Sequence, residues 1–283
     1  MRIAVTGANG LFGSGLDRTV RQRHHSIPLT RTQADVTDAD QLMRVLAPLK
    51  LDVLIHSAAI ADPDLCQTHP DQAFRVNVGG TSNVVSAAEE LGFAVVLISS
   101  DAVFDGRKNV PYIETDVPRP LSVYGHSKLE AEAKVQTLKQ HWIFRVSVLF
   151  GPGRVNFVDK GLRKIANGET YVVAADQVGS ATYTLDAAEK IVEVVEARRY
   201  GLYHLCNQGI CSRLELATQA AQLAGLDLSR VEGRTLDQMG RPGPRPQYAV
   251  MRMQALQNAG FNPPRPWTEA LAEYLQNFWR KPQ

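Results

Sequence analysis

Cysteines, net charge and long apolar runs are all scarce in this sequence. Its 283 residues include 3 cysteines, Cys66, Cys206 and Cys211, and an odd number without paired spacing argues against a disulfide framework or a zinc site. No set of His, Cys, Asp or Glu residues has metal-ligand spacing, so we expect no metal. No stretch approaches the ~18 apolar residues of a membrane span, and no signal-peptide pattern precedes the first strand. We therefore expect a cytoplasmic protein with reduced thiols.

The low net charge also limits the choice of partners. Lys and Arg number 31 and Asp and Glu number 29, which gives a formal net charge of +2. This value is too small to indicate a nucleic-acid or membrane partner. A hydrophobic content of 44% and a charged content of 21% are typical of a folded globular protein.

Short apolar runs alternate with longer stretches of helical period. The runs that we predict as strands are residues 2–7, 26–31, 52–58, 94–100 and 143–150. The predicted helices between them lie near residues 11–23, 38–48, 71–91 and 123–140. This alternation is typical of βαβ units with right-handed crossovers. We therefore predict an α/β fold, a doubly wound parallel sheet of the Rossmann type.

Three glycines follow the first strand in the stretch TGANGLFG. Gly7, Gly10 and Gly13 open the first helix, where glycine permits a tight turn and a close approach of backbone amides to a pyrophosphate. The spacing G-x-x-G-x-x-G between a strand and a helix predicts a dinucleotide site. The cofactor-binding candidates of this loop are Gly7, Asn9, Gly10, Leu11, Phe12 and Gly13.

The strand order and the glycine loop together predict how the chain is divided. Residues 1–150 form an NAD(P)-binding domain in this prediction, and residues 174–208 return to it. Residues 151–173 and 209–283 form a smaller C-terminal substrate-binding lobe. The lobe contains GRPGPRPQ at residues 240–247, where prolines exclude a helix or a central strand and predict a loop.

The end of the second strand bears on the choice of dinucleotide. A carboxylate at this position grips the ribose of NAD, whereas an arginine accommodates the phosphate of NADP. Thr30 and Arg31 stand where an acid could have been, so we predict NADPH, with NADH as the alternative. Asp35 and Val36 would border the adenine. A solvated surface charge is the other interpretation of Arg31.

A serine, a tyrosine and a lysine suggest carbonyl reduction. Ser99 and Ser100 end the fourth strand, where ligands bind in such folds, and Tyr124 and Lys128 follow one helical turn apart in the stretch YGHSK. Tyr124 would donate the proton, Lys128 would lower its pKa and hold the cofactor ribose, and Ser100 would hold the substrate oxygen. We count Ser99, Tyr124 and Lys128 among the cofactor-binding candidates as well.

At these motifs the sequence resembles the extended short-chain dehydrogenase/reductases, and within them the dTDP-4-dehydrorhamnose reductase group. The resemblance covers nearly the whole chain through TGANGLFG, DVLIHSAAIADPDLCQTHPDQAFRVNV, ISSDAVFDG, VYGHSKLEAE, DQVGSAT and RPGPRP. It implies that Ser100, Tyr124 and Lys128 are the catalytic triad. It also implies that three residues lie beside the cofactor, namely Ala58, Ala59 and Asn77.

The resemblance further implies a sugar pocket in the smaller lobe. Asp176, Gln177, Gly179 and Thr182 match the family segment DQxGxPT, with Ala181 in place of the usual proline. The resemblance implies that this segment borders the sugar.

A late loop and two departures concern the substrate directly. Arg245 and Pro246 match the family's RP loop, where an arginine could donate two hydrogen bonds to a nucleotide diphosphate; a simple loop charge is the alternative. The family usually has tyrosine at Ala102 and commonly an aromatic residue near Val148, so the sugar pocket should be reshaped. The substrate-binding candidates are Ala102, Val148, Asn156, Gln177 and Arg245.

The predicted function is NADPH-preferring reduction of the 4-keto group of a nucleotide-activated deoxysugar. One alternative is an epimerase or dehydratase of the same superfamily. Such enzymes usually have an acidic residue at the end of the second strand, where this sequence has Thr30 and Arg31. Another is a non-catalytic regulatory subunit, since the β subunit of methionine adenosyltransferase is similar to this family. The expected partner is a nucleotide sugar, and a homodimer is a possible assembly.

Overall fold

The structure, a computed structural model, describes residues 1–280 and contains short and long strands in four sheets. The strands are β1 (Arg2–Thr6), β2 (His25–Leu29), β3 (Val53–His56), β4 (Ala94–Ser100), β5 (His141–Val146), β6 (Val148–Phe150), β7 (Tyr171–Ala174), β8 (Val178–Gly179), β9 (Ala181–Tyr183), β10 (Gly201–His204), β11 (Cys211–Ser212), β12 (Val231–Arg234) and β13 (Tyr248–Ala249).

Helices cover both faces of the largest sheet and build most of the smaller lobe. They are α1 (Leu11–Arg23), α2 (Ala39–Leu46), α3 (Pro63–Thr68), α4 (Pro70–Phe74), α5 (Gly80–Leu91), α6 (Val123–Val135), α7 (Phe157–Ala166), α8 (Thr184–Glu196), α9 (Arg213–Leu223), α10 (Leu236–Met239), α11 (Gln254–Asn258) and α12 (Trp267–Phe278). A π-helical turn, Arg75–Gly79, joins α4 to α5.

The largest sheet has six strands in the order β10-β5-β4-β3-β1-β2, and every neighbouring pair is parallel. Alternate side chains of each strand enter opposite cores: Ile3 and Val5 pack with α1 and α8, whereas Ala4 packs with α2, α5 and α6. The predicted doubly wound parallel sheet is therefore confirmed. The strand order reverses between β1 and β3, which is where a ligand crevice forms in such sheets.

The smaller lobe has its own aromatic core. Phe150 and Tyr183, at the ends of β6 and β9, stack at 5.3 Å between ring centroids, and Tyr274 of α12 lies against both. Helices α7 and α9 complete this cluster. Met251 and Leu256, which the predicted division assigns to the lobe, instead belong to the core of the large sheet. The boundaries of the two domains remain a prediction, and this packing favours a second return of the chain near residue 250.

The start of α6 fixes the position of the predicted catalytic helix. Ser122 caps it by accepting a hydrogen bond from the backbone N–H of Gly125 at 3.1 Å, as the sequence indicated. A Cβ on Gly125 would lie 2.2 Å from the carbonyl oxygen of Ala102. Only glycine therefore allows α6 to approach the turn that follows β4, and this contact brings Tyr124 beside Ser100.

Candidate active site

The glycine loop after β1 is closed tightly by its own backbone. Gly7 has a φ of +66°, and a Cβ on it would lie 2.9 Å from the backbone of Ala58. A Cβ on Gly13 would lie 2.1 Å from the carbonyl oxygen of Gly7. The amino end of α1 has no side-chain cap, so its free N–H groups and positive dipole end are available to an anion. This cradle fits the pyrophosphate of a dinucleotide.

A first cavity of about 430 Å³ lies beside this loop, at the point where the strand order reverses. Eight predicted cofactor-binding residues line it, which are Gly7, Asn9, Gly10, Arg31, Asp35, Val36, Ala58 and Ala59. Sequence reasoning missed other residues of its wall, which are Ala34, Ser57, Ile60, Leu65, Gln72, Val76 and Arg154. We call this the dinucleotide cavity.

Arg31 and Asp35 form an ion pair at the rim of the dinucleotide cavity. The Arg31 Nε atom donates to an Asp35 carboxylate oxygen at 3.2 Å, while the Arg31 side chain stays 74% exposed. Hydrogen bonds from Thr37 and then the Arg31 guanidinium hold the Asp35 pKa below its usual value. Most of the Arg31 fork thus remains open to solvent, where it can meet a phosphate.

Seven predicted cofactor-binding residues do not line the dinucleotide cavity: Leu11, Phe12, Gly13, Asn77, Ser99, Tyr124 and Lys128. Phe12 is 4% exposed and belongs to the core, and Leu11 lies at the second cavity described below. The Ser99 hydroxyl points away from the cavity and donates to Glu132 Oε1 at 2.5 Å. The Ser99 side chain is therefore structural here, because successive residues of a strand point to opposite faces.

Asn77 supports the wall of the dinucleotide cavity from behind. Its side chain accepts from the backbone N–H of Ile60 at 2.8 Å and donates to the carbonyl of Ile60 at 3.1 Å. It also donates to the Ser127 hydroxyl at 2.9 Å. Asn77 thus ties the loop after β3 to helix α6, one residue away from Lys128.

Tyr124 and Ser100 face a second cavity of about 440 Å³, which we call the substrate cavity. The Ser100 hydroxyl donates to Asp101 Oδ1 at 3.0 Å and accepts from the backbone N–H of Ala102 at 3.2 Å. Burial raises the pKa of Tyr124, the Ser100 hydroxyl opposes this rise, and the Asp101 carboxylate adds to it. A neutral phenol is therefore available as a proton donor at neutral pH.

Lys128 is buried one turn after Tyr124. Its ammonium group donates to the carbonyl oxygen of Ile98 at 2.6 Å. Burial lowers the pKa of Lys128 to about 8, and Glu132 opposes that shift. The predicted lowering of the Tyr124 pKa by Lys128 is not found, because burial dominates the Tyr124 pKa and the ammonium is bonded to the backbone of β4.

Four of the five predicted substrate-binding residues line the substrate cavity, namely Ala102, Val148, Gln177 and Arg245. Asn156 does not. It caps α7, accepts from the backbone N–H groups of Val158 and Asp159, and donates to the Tyr274 hydroxyl at 2.9 Å. Its polar atoms are used in the lobe core, so Asn156 does not line the substrate cavity in this structure, and its contact with substrate stays a prediction.

Arg245 reaches the substrate cavity but is already paired. It donates to Asp64 through Nη1 at 2.7 Å and through Nη2 at 2.9 Å, which is a bidentate ion pair across 181 residues of sequence. Nη1 also donates to the carbonyl of Gly243 at 2.5 Å. Arg245 in turn holds the Asp64 pKa below its usual value. This pair fixes the 240–247 loop against the segment after β3.

Four polar residues of the substrate cavity were missed by sequence reasoning, namely Asp101, Ser147, Arg213 and Arg241. The buried Asp101 carboxylate accepts from Ser100 and, at 2.5 Å, from the Ser147 hydroxyl, and burial raises its pKa. The position of Asp101 directly after Ser100 was the signal that could have found it. Arg241 is the first residue of the RPGPRP motif, which was the signal that could have found it, whereas no sequence signal marks Arg213.

Two expected absences can be described for residues 1–280 only. No cluster of three or more His, Cys, Asp or Glu side chains in that range is arranged to hold a metal ion. Within the same range, none of the helices combines the length and the apolar character that crossing a membrane requires.

The sequence and the structure were then compared with known proteins. The family model described as "RmlD substrate binding domain" matches residues 1–280. A spore coat polysaccharide biosynthesis protein, SpsK, of Bacillus subtilis is 35% identical over 97% of this chain and 97% of that protein. A dTDP-4-dehydrorhamnose reductase of Mycolicibacterium smegmatis is 34% identical over 96% of this chain and 84% of that enzyme.

A solved structure gives the same result at the level of the fold. The dTDP-4-dehydrorhamnose reductase of Bacillus anthracis, crystallised in complex with NADP, superimposes with a TM-score of 0.94 at 31% identity. The match covers 97% of this chain and 98% of that one. The likeness therefore extends over both the large sheet and the smaller lobe.

Proposed function

This chain belongs to the RmlD family, and from that premise we propose that it reduces the 4-keto group of a nucleotide-activated deoxysugar with NADPH. The observation that carries the proposal is the placement of Ser100 and Tyr124 in one cavity next to a cradle that fits a dinucleotide. The names of the relatives, dTDP-4-dehydrorhamnose reductase among them, support the same substrate class. The enzyme is an NADP-dependent oxidoreductase.

The cofactor, when bound, supplies hydride to the carbonyl carbon. The chain itself has to hold the substrate oxygen and deliver a proton to it as negative charge develops. Tyr124 is the proton donor in this proposal, since its raised pKa keeps the phenol protonated. Ser100 donates a second hydrogen bond to the same oxygen once its hydroxyl turns from Asp101. Lys128 fixes the amino half of α6 to β4.

The substrate cavity has smaller side chains than the family usually places there. Ala102 and Val148 line the cavity beside Ser100 and Tyr124, at positions where the resemblance led us to expect aromatic rings. A missing ring leaves apolar volume that a bulkier sugar substituent can fill. We therefore propose that the enzyme accepts a larger or differently substituted 4-keto sugar than 4-dehydrorhamnose.

Steady-state oxidation of NADPH with a panel of nucleotide 4-keto sugars tests the proposed function. Turnover with at least one of them, and none with the corresponding free sugars, is the expected result. An epimerase or dehydratase would instead convert a nucleotide sugar without net consumption of NADPH. A regulatory subunit would bind the cofactor and turn over none of the panel, and that outcome would refute the proposal.

The cofactor preference gives a separate prediction. Arg31→Ala should lower kcat/KM for NADPH by about tenfold, because an exposed arginine loses one charge-assisted contact with the additional phosphate. The kcat/KM for NADH should change by less than about twofold. The matched control is Arg21→Ala, which also breaks an i,i+4 ion pair with an aspartate, Asp17 of α1. This control should leave kcat/KM for NADPH and for NADH unchanged. Equal losses for both cofactors would show that Arg31 does not read the phosphate.

Location and assembly are further parts of the proposal. We propose that the enzyme works in the cytoplasm, which is consistent with Cys66, Cys206 and Cys211 all being buried free thiols. A homodimer remains the predicted assembly, and sedimentation of the purified chain would test it.

A further inference from the structure

Two arginines of the substrate cavity form no salt bridge with any residue in the described range 1–280. Arg213 opens α9 and Arg241 lies in the 240–247 loop, and both line the cavity. The Nη1 atom of Arg213 is buried without a hydrogen-bond partner. Within residues 1–280, neither guanidinium forms a salt bridge, whereas Arg245 in the same wall is paired with Asp64. The cavity thus holds two free positive charges beside one that is neutralised.

The surroundings of Arg213 do not supply the missing partner. Asp101 is the acidic group whose charge acts most on it, but both Asp101 oxygens accept hydrogen bonds from the hydroxyls of Ser100 and Ser147. Burial lowers the pKa of Arg213, and the positive charge of Arg241 lowers it further. Arg241 is exposed, so the cost falls on Arg213, whose Nη1 atom is buried without a partner and which an anion in the cavity would satisfy.

We propose that Arg213 and Arg241, rather than Arg245, bind the diphosphate of the nucleotide-sugar substrate. The inference rests on the proposed function for the identity of the ligand. A diphosphate has two negative phosphate groups, which match two guanidiniums in charge and in the fork geometry of their donors. Arg245 then has a different role: its bidentate pair with Asp64 holds the loop that carries Arg241.

The position of Arg213 is fixed by its backbone, which favours a binding role. Its N–H donates to the carbonyl of Gln177 at 3.0 Å, and the preceding Ser212 forms a capping box with Glu215. β11 pairs with β8 immediately before this point. The guanidinium is therefore held in the cavity by a rigid support, as a preorganised binding group should be.

Binding of phosphate-bearing and phosphate-free probes tests the proposal without any turnover. Thymidine diphosphate, thymidine and inorganic pyrophosphate are titrated calorimetrically into the full chain loaded with NADP. Arg213→Gln should weaken thymidine diphosphate binding by about ten- to a hundredfold, as expected for a lost charge-assisted hydrogen bond. Arg241→Gln should weaken it in the same sense but less, since Arg241 is exposed. Thymidine affinity should stay within about twofold in both variants.

The controls separate a binding role from a structural one. Arg163→Gln, an exposed arginine on α7, removes the same charge away from the cavity and should change nothing. Without ligand, Arg213→Gln should melt no lower than the unaltered chain, because it removes a buried unpaired charge. If Arg213→Gln folds poorly, Arg213→Lys takes its place in the test. Because lysine keeps the positive charge, Arg213→Lys should bind thymidine diphosphate more tightly than Arg241→Gln, in which one charge is lost.

Several results would overturn the proposal. These are equal losses of thymidine and thymidine diphosphate affinity in Arg213→Gln, unchanged affinity for both, or no binding of diphosphate and pyrophosphate by the unaltered chain. Failure of the proposed function is distinguishable, because a chain that binds diphosphate through Arg213 but reduces no keto sugar would refute the reductase activity alone.

Discussion

Tyr124→Phe should lose between about a hundredfold and ten-thousandfold in kcat while still binding NADPH. The range is that of a positioned general acid, and the substitution removes only the hydroxyl that faces the substrate cavity. The ring remains to fill the wall, so we expect no large change in stability. Stopped-flow or steady-state oxidation of NADPH measures kcat, and fluorescence titration of NADPH measures binding.

The matched control for this substitution is Tyr200→Phe. Tyr200 directly precedes β10, is 38% exposed and contacts Trp142. It lines neither cavity, so its hydroxyl should be dispensable. A Tyr124→Phe variant that keeps more than about a tenth of the kcat would show that another group or water delivers the proton. A large loss of NADPH affinity would assign the hydroxyl to cofactor binding instead.

Lys128 does not contact the Tyr124 hydroxyl in the way that the sequence predicts. We expected the neighbouring ammonium to make the phenol more acidic, but the ammonium donates to Ile98 and burial raises the phenol pKa. A raised pKa keeps the phenol protonated but makes it a weaker acid, so in this proposal the proton moves as negative charge develops on the substrate oxygen. In the mechanism that we propose, Lys128 acts through position, because its ammonium holds the helix against β4.

Much of the fold could be read from the sequence because its signals are local. The branched runs that we predicted as strands correspond to β1 to β5, except that the run at residues 143–150 is divided between β5 and β6, which lie in different sheets. The glycine loop lies between β1 and α1. The same holds for Ser100 and Tyr124, since the end of a strand and the first turn of a helix are both visible in the sequence. Local periodicity is enough for these features.

The features that the sequence could not show depend on contacts between distant segments. The sequence gives no sign that Arg245 is paired with Asp64, because the two residues are 181 positions apart. Asn156 has a polar side chain of the kind that binds ligands, but its amide donates a hydrogen bond to the Tyr274 hydroxyl. Arg213 gave no signal because an arginine at the start of a helix is commonplace, and only the enclosed cavity leaves its guanidinium without a partner. Pairing and burial decide these roles, and neither is a local property.

A buried ion pair joins α6 to β5. Arg145 of β5 donates to Glu132 of α6 through Nε at 2.9 Å and through Nη2 at 2.6 Å, and their side chains are 3% and 1% exposed. Ser99 adds a third donor to the same carboxylate, and the Arg145 guanidinium lies over the Phe104 ring at 5.2 Å. Since Glu132 lies one turn after Lys128, the pair orients the helix that carries Tyr124 and Lys128.

Arg145→Met should lower the free energy of unfolding by about 3 to 5 kcal/mol, because it leaves the Glu132 carboxylate buried with no cationic partner. Methionine keeps an unbranched apolar stem but is shorter than arginine, so the loss includes a contribution from the volume left beside Phe104. Reversible urea unfolding measures the change. The exposed pair of Arg21 with Asp17 provides the control, since Arg21→Met should cost less than about 1 kcal/mol.

The double variant Arg145→Met with Glu132→Leu decides whether the pair stabilises the fold or only costs energy when it is broken. Replacing both charges by apolar groups should recover most of the stability lost in Arg145→Met, as is common for buried ion pairs. Ser99 would still lack its acceptor, so we expect a residual loss of about 1 to 2 kcal/mol. If the double variant is as unstable as Arg145→Met, the cost does not come from the unpaired carboxylate. In that case the guanidinium stacked on Phe104 is the stabilising contact.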